Sequence, residues 1–154
     1  MPTTESEVAS RTADVSLVVY GKAAPQGSKR AFVHPRTGRA VMTEASSKTR
    51  PWRHLVSTEA VQAMGTRLPY DGAVYLDITF VMLRPKSHYN GKGELRANAP
   101  RFPAKRPDRD KLERAIQDAL TGIVYRDDCQ VVDGPTRKVF GDRECAMIRV
   151  YFLD

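Results

Sequence analysis

Residues 107–122 read "PDRDKLERAIQDALTG", and this stretch decides the second half of the fold. Its apolar residues recur at steps of three and four, which is the spacing of one face of an amphipathic helix. That stripe consists of Leu112, Ala115, Ile116, Ala119 and Leu120. Gly122 follows at a position where glycine commonly ends a helix. We therefore predict a helix over residues 110–120 with one buried face.

The segments around this helix are mostly strands. Runs of apolar and β-branched residues predict strands at residues 15–25, 73–83, 129–140 and 145–153, and a hairpin around the turn "RTGR" (36–39). A pattern of three and four residue steps predicts another helix from residue 46 to about 64, ended by Gly65. This order of elements predicts an α+β fold, in which one domain has a mixed sheet and two main helices.

Length and composition fit one domain. The chain has 154 residues, of which 41% are hydrophobic, and that is enough to bury a core. Residues 1–14 are polar, so we predict a flexible N-terminus, followed by the folded domain over residues 15–154. Because residues 1–14 are polar, we expect no secretory leader, and no apolar run reaches about 18 residues. Cys129 and Cys145 form no metal-binding or disulfide pattern. We expect a cytoplasmic protein with reduced thiols and no membrane partner.

The charges are unevenly distributed. The formal net charge is +7, yet seven of the 18 acidic residues lie between Asp108 and Asp133. Residues 22–53 hold eight Lys or Arg and one acid, and residues 84–106 hold seven and one. Two basic segments therefore flank an acidic cluster, as in a site that grips phosphates around carboxylates, although solvated charge runs would look the same. Residues 84–107 also hold four Pro and two Gly, and we predict a mobile basic loop that orders on a partner.

The acidic residues at the start of the helix have two interpretations. Asp108 and Asp110 are one residue apart, so in an extended segment both carboxylates can point toward one cation. Alternatively, Asp110 and Glu113 have the spacing of a capping box. After the helix, the turn "TGIVYRDD" is short enough for the chain to reverse and bring Asp127 or Asp128 back toward the N-terminal end of the helix. Three carboxylates would then meet, and such hard oxygen ligands suit Mg²⁺.

The helix also carries a polar stripe. Asp110, Arg114 and Asp118 lie at positions i, i+4 and i+8, and their side chains share one side of the helix. A surface ladder of salt bridges would have the same spacing. The spacing alone leaves both interpretations open.

Residues 106–131, "RPDRDKLERAIQDALTGIVYRDDCQV", resemble the signature of the RusA-type endodeoxyribonucleases, which are Holliday-junction resolvases common in bacteriophages and prophages. The likeness extends more loosely to "GKAAPQGSKR" (21–30), which resembles the basic loop after that family's first strand. A DxD, a helix with D-A-L-T-G and a DD before Q-V are together far more specific than a lone DxD. The resemblance implies a RusA-like fold and a role in DNA recombination and repair.

The resemblance also assigns roles to single residues. Asp108 and Asp110 take the place of the family's two essential aspartates, and Asp128 takes the place of its third. These residues bind Mg²⁺ in the family, and Mn²⁺ can substitute. Arg114 falls where the family often has a catalytic Lys, and stabilisation of phosphate charge suits its permanently charged guanidinium. Supporting roles are implied for Asp118, Asp127 and Lys111.

The family further implies a homodimer, because symmetric nicks in opposed strands of a four-way junction require two active sites. We expect phosphate contacts from Lys29, Arg30, Lys86, Arg101, Lys105 and Arg106. Two alternatives remain: a nuclease for flaps, forks or other branched DNA, and a non-catalytic junction-binding protein, against which the intact DxD and DD argue. A DxD sugar-nucleotide transferase would need a much larger nucleotide-binding domain.

Overall fold

The structure is a computed structural model that describes residues 3–27, 30–43 and 47–154. Its helices are α1 (Thr4–Ala9), α2 (Thr49–Met64) and α3 (Arg109–Leu120). Its strands are β1 (Val15–Tyr20), β2 (Arg30–Val33), β3 (Ala40–Thr43), β4 (Val74–Leu83), β5 (Val131–Asp133), β6 (Thr136–Gly141) and β7 (Cys145–Phe152). Short 3₁₀ turns lie at Lys86–His88 and Asp128–Gln130. In the described ranges, no helix has the length and apolar character needed to span a membrane.

The main sheet is mixed, as the sequence predicts. Its order is β1, β7, β4 and then β5 and β6, which both pair with the same edge of β4. The β1–β7 and β7–β4 pairs are antiparallel, whereas β5 and β6 run parallel to β4. The predicted hairpin is also confirmed, because β2 and β3 form a separate antiparallel pair. The predicted α+β class is therefore confirmed.

The core lies between one face of the sheet and helices α2 and α3. Alternate residues of β4, namely Leu76, Ile78 and Phe80, are buried there, as expected for a central strand. All five residues of the predicted α3 stripe are buried in the same cluster. The α3 prediction is thus confirmed, with the helix beginning one residue earlier at Arg109.

The predicted strand over residues 129–140 is divided in two. Asp128–Gln130 form a 3₁₀ turn, and the chain then breaks between β5 and β6 at Gly134. Gly134 has φ +128°, and a Cβ atom there would lie 2.0 Å from the backbone oxygen of Leu76. This close approach lets the chain shift along β4, where pairing resumes at Ile78 with Thr136. A conformation that only glycine tolerates therefore interrupts the strand.

The first residues, which we predicted to be flexible, contain a short helix. Val8 of α1 is buried on the sheet face opposite α2 and α3, where it packs with Tyr75, Tyr151 and Leu153. The Tyr75 and Tyr151 rings meet edge to face at 5.7 Å. Val8 is the one buried residue of α1, and a sequence pattern that depends on several apolar positions cannot reveal such a helix.

Residues 84–107, called the basic loop below, pack against the end of the sheet. The Arg84 guanidinium donates a hydrogen bond to the Pro100 carbonyl at 2.6 Å. Lys138 of β6 donates from its Nζ to the carbonyls of Lys105 and Pro107, at 2.8 and 2.9 Å. We predicted a mobile segment that orders on a partner, but the structure gives this loop its own hydrogen bonds and anchors its C-terminal end to β6.

Candidate active site

The loop after β1 is fastened to the start of α3. The backbone N–H of Gln26 donates to the Lys111 carbonyl at 2.9 Å, and Gln26 as a whole is 7% exposed. Arg53 of α2 donates to Gln26 Oε1 at 3.1 Å. Thr49 adds a hydrogen bond from its hydroxyl to the Pro25 carbonyl at 2.7 Å. Helix α2 therefore holds the basic "GKAAPQG" segment beside the acidic end of α3.

Asp108 is the N-cap residue of α3. Its backbone is extended (φ −69°, ψ 138°) and its carbonyl accepts the hydrogen bond from the Leu112 N–H. Its side chain makes no capping hydrogen bond, and 47% of it is exposed. Because the helix starts at Arg109, Asp110 lies inside the first turn and cannot be the N-cap. Glu113 instead accepts a hydrogen bond from Gln117 at 3.2 Å. The capping-box interpretation of Asp110 and Glu113 is therefore wrong.

Asp108 faces a set of cations. Lys111 Nζ lies 3.4 Å from Asp108 Oδ2, in an exposed i,i+3 pair that contributes little to stability. The same two residues line an open groove of about 510 Å³, called the Asp108 groove below. The other charged residues in its walls are Lys22, Lys48 and Arg106. Four cations around one exposed carboxylate make a surface suited to the DNA backbone.

The neighbours Asp127 and Asp128 have different environments. Asp127 caps the 3₁₀ turn: its Oδ1 accepts from the Cys129 N–H at 2.9 Å, and Gln130 Oε1 accepts from the Asp127 N–H at 2.9 Å. The hydrogen bond from the Cys129 backbone holds the pKa of Asp127 below its usual value. Gln130 also donates to two carbonyls in residues 70–72. Asp127 thus has a structural role, whereas Asp128 is exposed and caps nothing.

Asp128 lies near Tyr125, whose side chain contacts α3. The hydroxyl of Tyr125 is buried and donates to the Gln117 carbonyl at 3.0 Å. Burial raises the pKa of Tyr125, and the negative charge of Asp128 raises it further, followed by a smaller contribution from Asp118. The turn after α3 therefore places Asp128 close enough to Tyr125 for its charge to act there, beside the second half of the helix. Its return toward the N-terminal end of α3 stays a prediction.

The three predicted ligands are not gathered into one cluster. Within residues 3–27, 30–43 and 47–154, no group of three or more His, Cys, Asp or Glu side chains is placed to hold a metal ion. Asp108, Asp110 and Asp128 are all exposed. Carboxylates repel one another, so the charges of the chain itself favour this separation. Their chemistry nevertheless suits a hard divalent cation, because each is a solvent-accessible oxygen donor without a capping role.

The predicted polar stripe on α3 does not form a ladder. Asp118 Oδ2 lies 3.8 Å from Arg53 Nη1 on α2, so Asp118 supports the residue that holds Gln26. Arg114 is exposed and has neither a hydrogen bond nor an ion pair with any residue in the described part of the chain. Its guanidinium is therefore available to a phosphate.

The predicted phosphate contacts fall in different places. Four of them are exposed on the basic loop, namely Lys86, Arg101, Lys105 and Arg106, and the last of these lines the Asp108 groove. Lys29 and the side chain of Arg30 lie outside the described residues. Sequence reasoning missed Lys22 and Lys48 as groove residues, although Lys22 stands within the "GKAAPQGSKR" resemblance and could have been included.

Comparison with known proteins shows which family the chain belongs to. The family model described as Endodeoxyribonuclease RusA matches residues 22–151, which is most of the chain. The protein belongs to the RusA endodeoxyribonuclease family, as the sequence signature predicted. One relative is the uncharacterized protein YqaN of Bacillus subtilis (strain 168). The two sequences are 28% identical over 130 residues, which cover 83% of this chain and 89% of that protein.

Proposed function

We propose that the protein is a divalent-metal-dependent endonuclease that resolves four-way DNA junctions by paired phosphodiester cleavage in the cytoplasm of a bacterial host. One observation carries the proposal. Asp108, whose side chain caps nothing, stands beside Asp110 at the start of α3, in a groove with four cations. In a chain of the RusA endodeoxyribonuclease family, that combination supports a role for Asp108 in cleaving a DNA backbone and argues against a role in capping the helix.

The metal ligands in this proposal are Asp108, Asp110 and Asp128, which would hold Mg²⁺, or Mn²⁺ in its place. When bound, such an ion activates water and neutralises charge on the scissile phosphate. The structural role of Asp127 in its capping box supports the choice of Asp128 as the third ligand. The exposure of all three carboxylates leaves them accessible to a cation and to DNA.

The cations of the chain hold the substrate. Arg114 lies one helical turn after Asp110, and its planar guanidinium can donate two hydrogen bonds to phosphate oxygens. Because arginine stays protonated, Arg114 stabilises developing negative charge and does not transfer protons. Lys22, Lys111 and Arg106 bind the flanking backbone through charge, which adds affinity without sequence preference.

The proposal includes a homodimer. Resolution needs two nicks at symmetric positions in opposed strands, and one chain supplies one set of the three aspartates. Sedimentation of the free protein should therefore give a mass near twice the 17.2 kDa of one chain. A monomer that still makes paired nicks would contradict this part of the proposal.

The substrate is tested with end-labelled four-way, three-way, flap and linear DNA of matched sequence, each incubated with and without Mg²⁺. We expect paired nicks in the four-way junction that depend on the metal, and little cleavage of the linear duplex. Equal cleavage of flaps and forks would assign the broader branched-DNA nuclease activity instead. Tight binding of the junction with no nick in any metal would indicate the non-catalytic alternative.

A further inference from the structure

A second concave site lies next to the Asp108 groove and has a different chemical character. It is a cavity of about 410 Å³ between the basic loop and the end of the sheet, called the loop cavity below. Its apolar walls include Leu83 of β4, Phe140 of β6, and Phe102 and Pro103 of the loop. A cavity of this size holds a small organic group, and flat aromatic and proline rings suit a flat ligand.

His88 contributes its ring to the wall of the loop cavity. The ring meets the Phe140 ring edge-on, with 5.6 Å between the ring centroids. Its Nδ1 is buried and makes no hydrogen bond with any atom in the described part of the chain. Because Nδ1 is shielded from solvent, it does not face the cavity, and His88 acts there as a further flat ring in the wall.

The loop cavity continues into the Asp108 groove. Lys22, Ala23, Arg106 and Pro107 line both of them. A ligand in the loop cavity therefore has two cations beside it, in the direction of Asp108. Lys105 adds a third cation to the cavity wall, against one acid, Glu144. A flat apolar group that carries a phosphate matches this combination of aromatic wall and cationic mouth.

The walls of the loop cavity are held before any ligand arrives. The Arg84 guanidinium lies 4.4 Å from the centroid of the Phe140 ring, and the same side chain holds the Pro100 carbonyl. Lys138 holds the carbonyls of Lys105 and Pro107, which both line the cavity. A site that is already formed spends little of its binding energy on ordering the protein.

We propose that the loop cavity receives one nucleobase, unstacked from the DNA close to the cleaved phosphate, while Lys22 and Arg106 bind that nucleotide's backbone. The inference rests on the proposed junction-cleaving function and adds a determinant of where the strand is cut. Bases at a branch point are the least costly to unstack. Phe102 and Phe140 offer aromatic surfaces for the base, and the His88 ring belongs to the same wall.

The test uses Ala104→Trp, which fills the loop cavity from its wall. Ala104 is exposed on the basic loop, so the larger side chain does not disturb the core. Ala97→Trp is the matched control, because Ala97 is exposed on the same loop and outside the cavity walls. The probe is a four-way junction with 2-aminopurine placed, one position at a time, within two nucleotides of the cleaved phosphate. Fluorescence is read at saturating protein in Ca²⁺.

At one position we expect the native chain and Ala97→Trp to raise the 2-aminopurine fluorescence several-fold, and Ala104→Trp to leave it almost unchanged. An abasic site at that position should also remove most of the difference in nicking rate between the native chain and Ala104→Trp. No rise at any position, or the same rise in Ala104→Trp, would overturn the inference. Nicking of the unlabelled junction in Mg²⁺ is measured in parallel, so failure of the proposed function is seen separately.

A second variant keeps the inference testable if Ala104→Trp does not fold. Phe102→Ala removes one aromatic ring from the cavity wall, and Phe102 is exposed, so the core is not disturbed. We expect the rise in 2-aminopurine fluorescence at the responsive position to fall at least about threefold, because the base loses a stacking surface. The same rise in Phe102→Ala as in the native chain would contradict a role for the aromatic wall.

Discussion

The neighbouring aspartates after α3 show what single residues contribute to this site. Two adjacent acids look equivalent in a sequence, and the family resemblance alone selected Asp128. The structure supplies a physical reason for that choice, since Asp127 is committed to a capping box with Gln130. The spacing of capping residues could have revealed this, because Asp127 and Gln130 are three residues apart. The same spacing at Asp110 and Glu113 was misleading, because the N-cap of α3 is Asp108 and Asp110 lies inside the first turn.

Asp127→Ala and Asp128→Ala should therefore have opposite effects. Loss of the Asp127 cap should lower the melting temperature by a few degrees, as loss of an N-cap usually does. Asp128→Ala should leave the melting temperature almost unchanged and abolish nicking. Thermal unfolding and junction cleavage of both variants measure this. Full nicking by Asp128→Ala together with loss of nicking in a folded Asp127→Ala would reverse our assignment of the pair.

The cap also predicts a pH dependence. The folded-state pKa of Asp127 is lowered from the ordinary 3.8, so its contribution to stability is fully present above pH 3.8 and is lost as the pH falls through the folded value. The difference in melting temperature between the native chain and Asp127→Ala should be constant from about pH 5 to 8 and narrow below pH 3.8. Thermal unfolding across that range measures it. A difference that widens in acid would contradict the capping role.

Arg114 should matter for catalysis and hardly at all for folding. Its side chain has no hydrogen bond or ion pair with the described residues, so Arg114→Ala should change the free energy of unfolding by less than about 0.5 kcal/mol. The single-turnover nicking rate should fall about 100-fold, as when one donor to a developing anion is removed. Arg114→Lys, which retains the charge, should recover part of that loss. An unchanged rate in Arg114→Ala would exclude a role for its guanidinium.

At the scale of elements, strong periodicity in the sequence predicted the helices and strands well. No sequence pattern revealed where two segments of the chain approach each other closely. The α3 stripe is buried as predicted, and the strand predicted over residues 73–83 is present as β4, Val74–Leu83. In α2 the buried residues follow a four-residue step from Trp52 to Met64, and the apolar Leu55 and Val61 are exposed. The division of β5 from β6 depends on the position of the Leu76 carbonyl across the sheet, which no local pattern contains.

Gly134→Ala tests this junction between strands. The added Cβ would meet the Leu76 backbone at 2.0 Å, and φ +128° is strained for any other residue. We expect a loss of at least about 2 kcal/mol in the free energy of unfolding. Gly91→Ala is the control, since Gly91 lies in the basic loop with nothing within 4 Å of its added Cβ. Denaturant unfolding compares the two variants, and equal stabilities would refute the close approach at Gly134.

At the scale of the molecule, the site is assembled from segments far apart in the sequence. The aspartates could be predicted from residues 106–131, because they share one helix and the turn after it. The Asp108 groove could not be predicted, because Lys22, Lys48 and Arg106 come together only in the folded chain. Their positions depend on the hydrogen bond between Gln26 and α3 and on those between the basic loop and β6. Such contacts depend on tertiary packing and do not correspond to any periodic pattern in the sequence.

The groove predicts how DNA binding responds to salt. Each phosphate contact made by a cation should contribute about 0.9 to the slope of the logarithm of affinity against the logarithm of salt concentration. Lys22→Ala should lower that slope by about one unit, because Lys22 lines both the Asp108 groove and the loop cavity. Lys92→Ala, at an exposed position outside both, is the matched control. Equal slopes for the two variants would place the DNA elsewhere on the protein.

The central claim is that the aspartates at the start of α3 are needed for DNA cleavage and are not there to stabilise the helix. Its most direct test is the single-turnover nicking rate of Asp110→Asn on one labelled four-way junction in Mg²⁺, with junction affinity measured in Ca²⁺ at the same salt concentration. Asparagine keeps the size of the side chain and removes its charge. We predict a rate at least about 1,000-fold below that of the native chain, with an affinity within about threefold. Cleavage at the native rate by a folded, junction-bound Asp110→Asn protein would contradict the account.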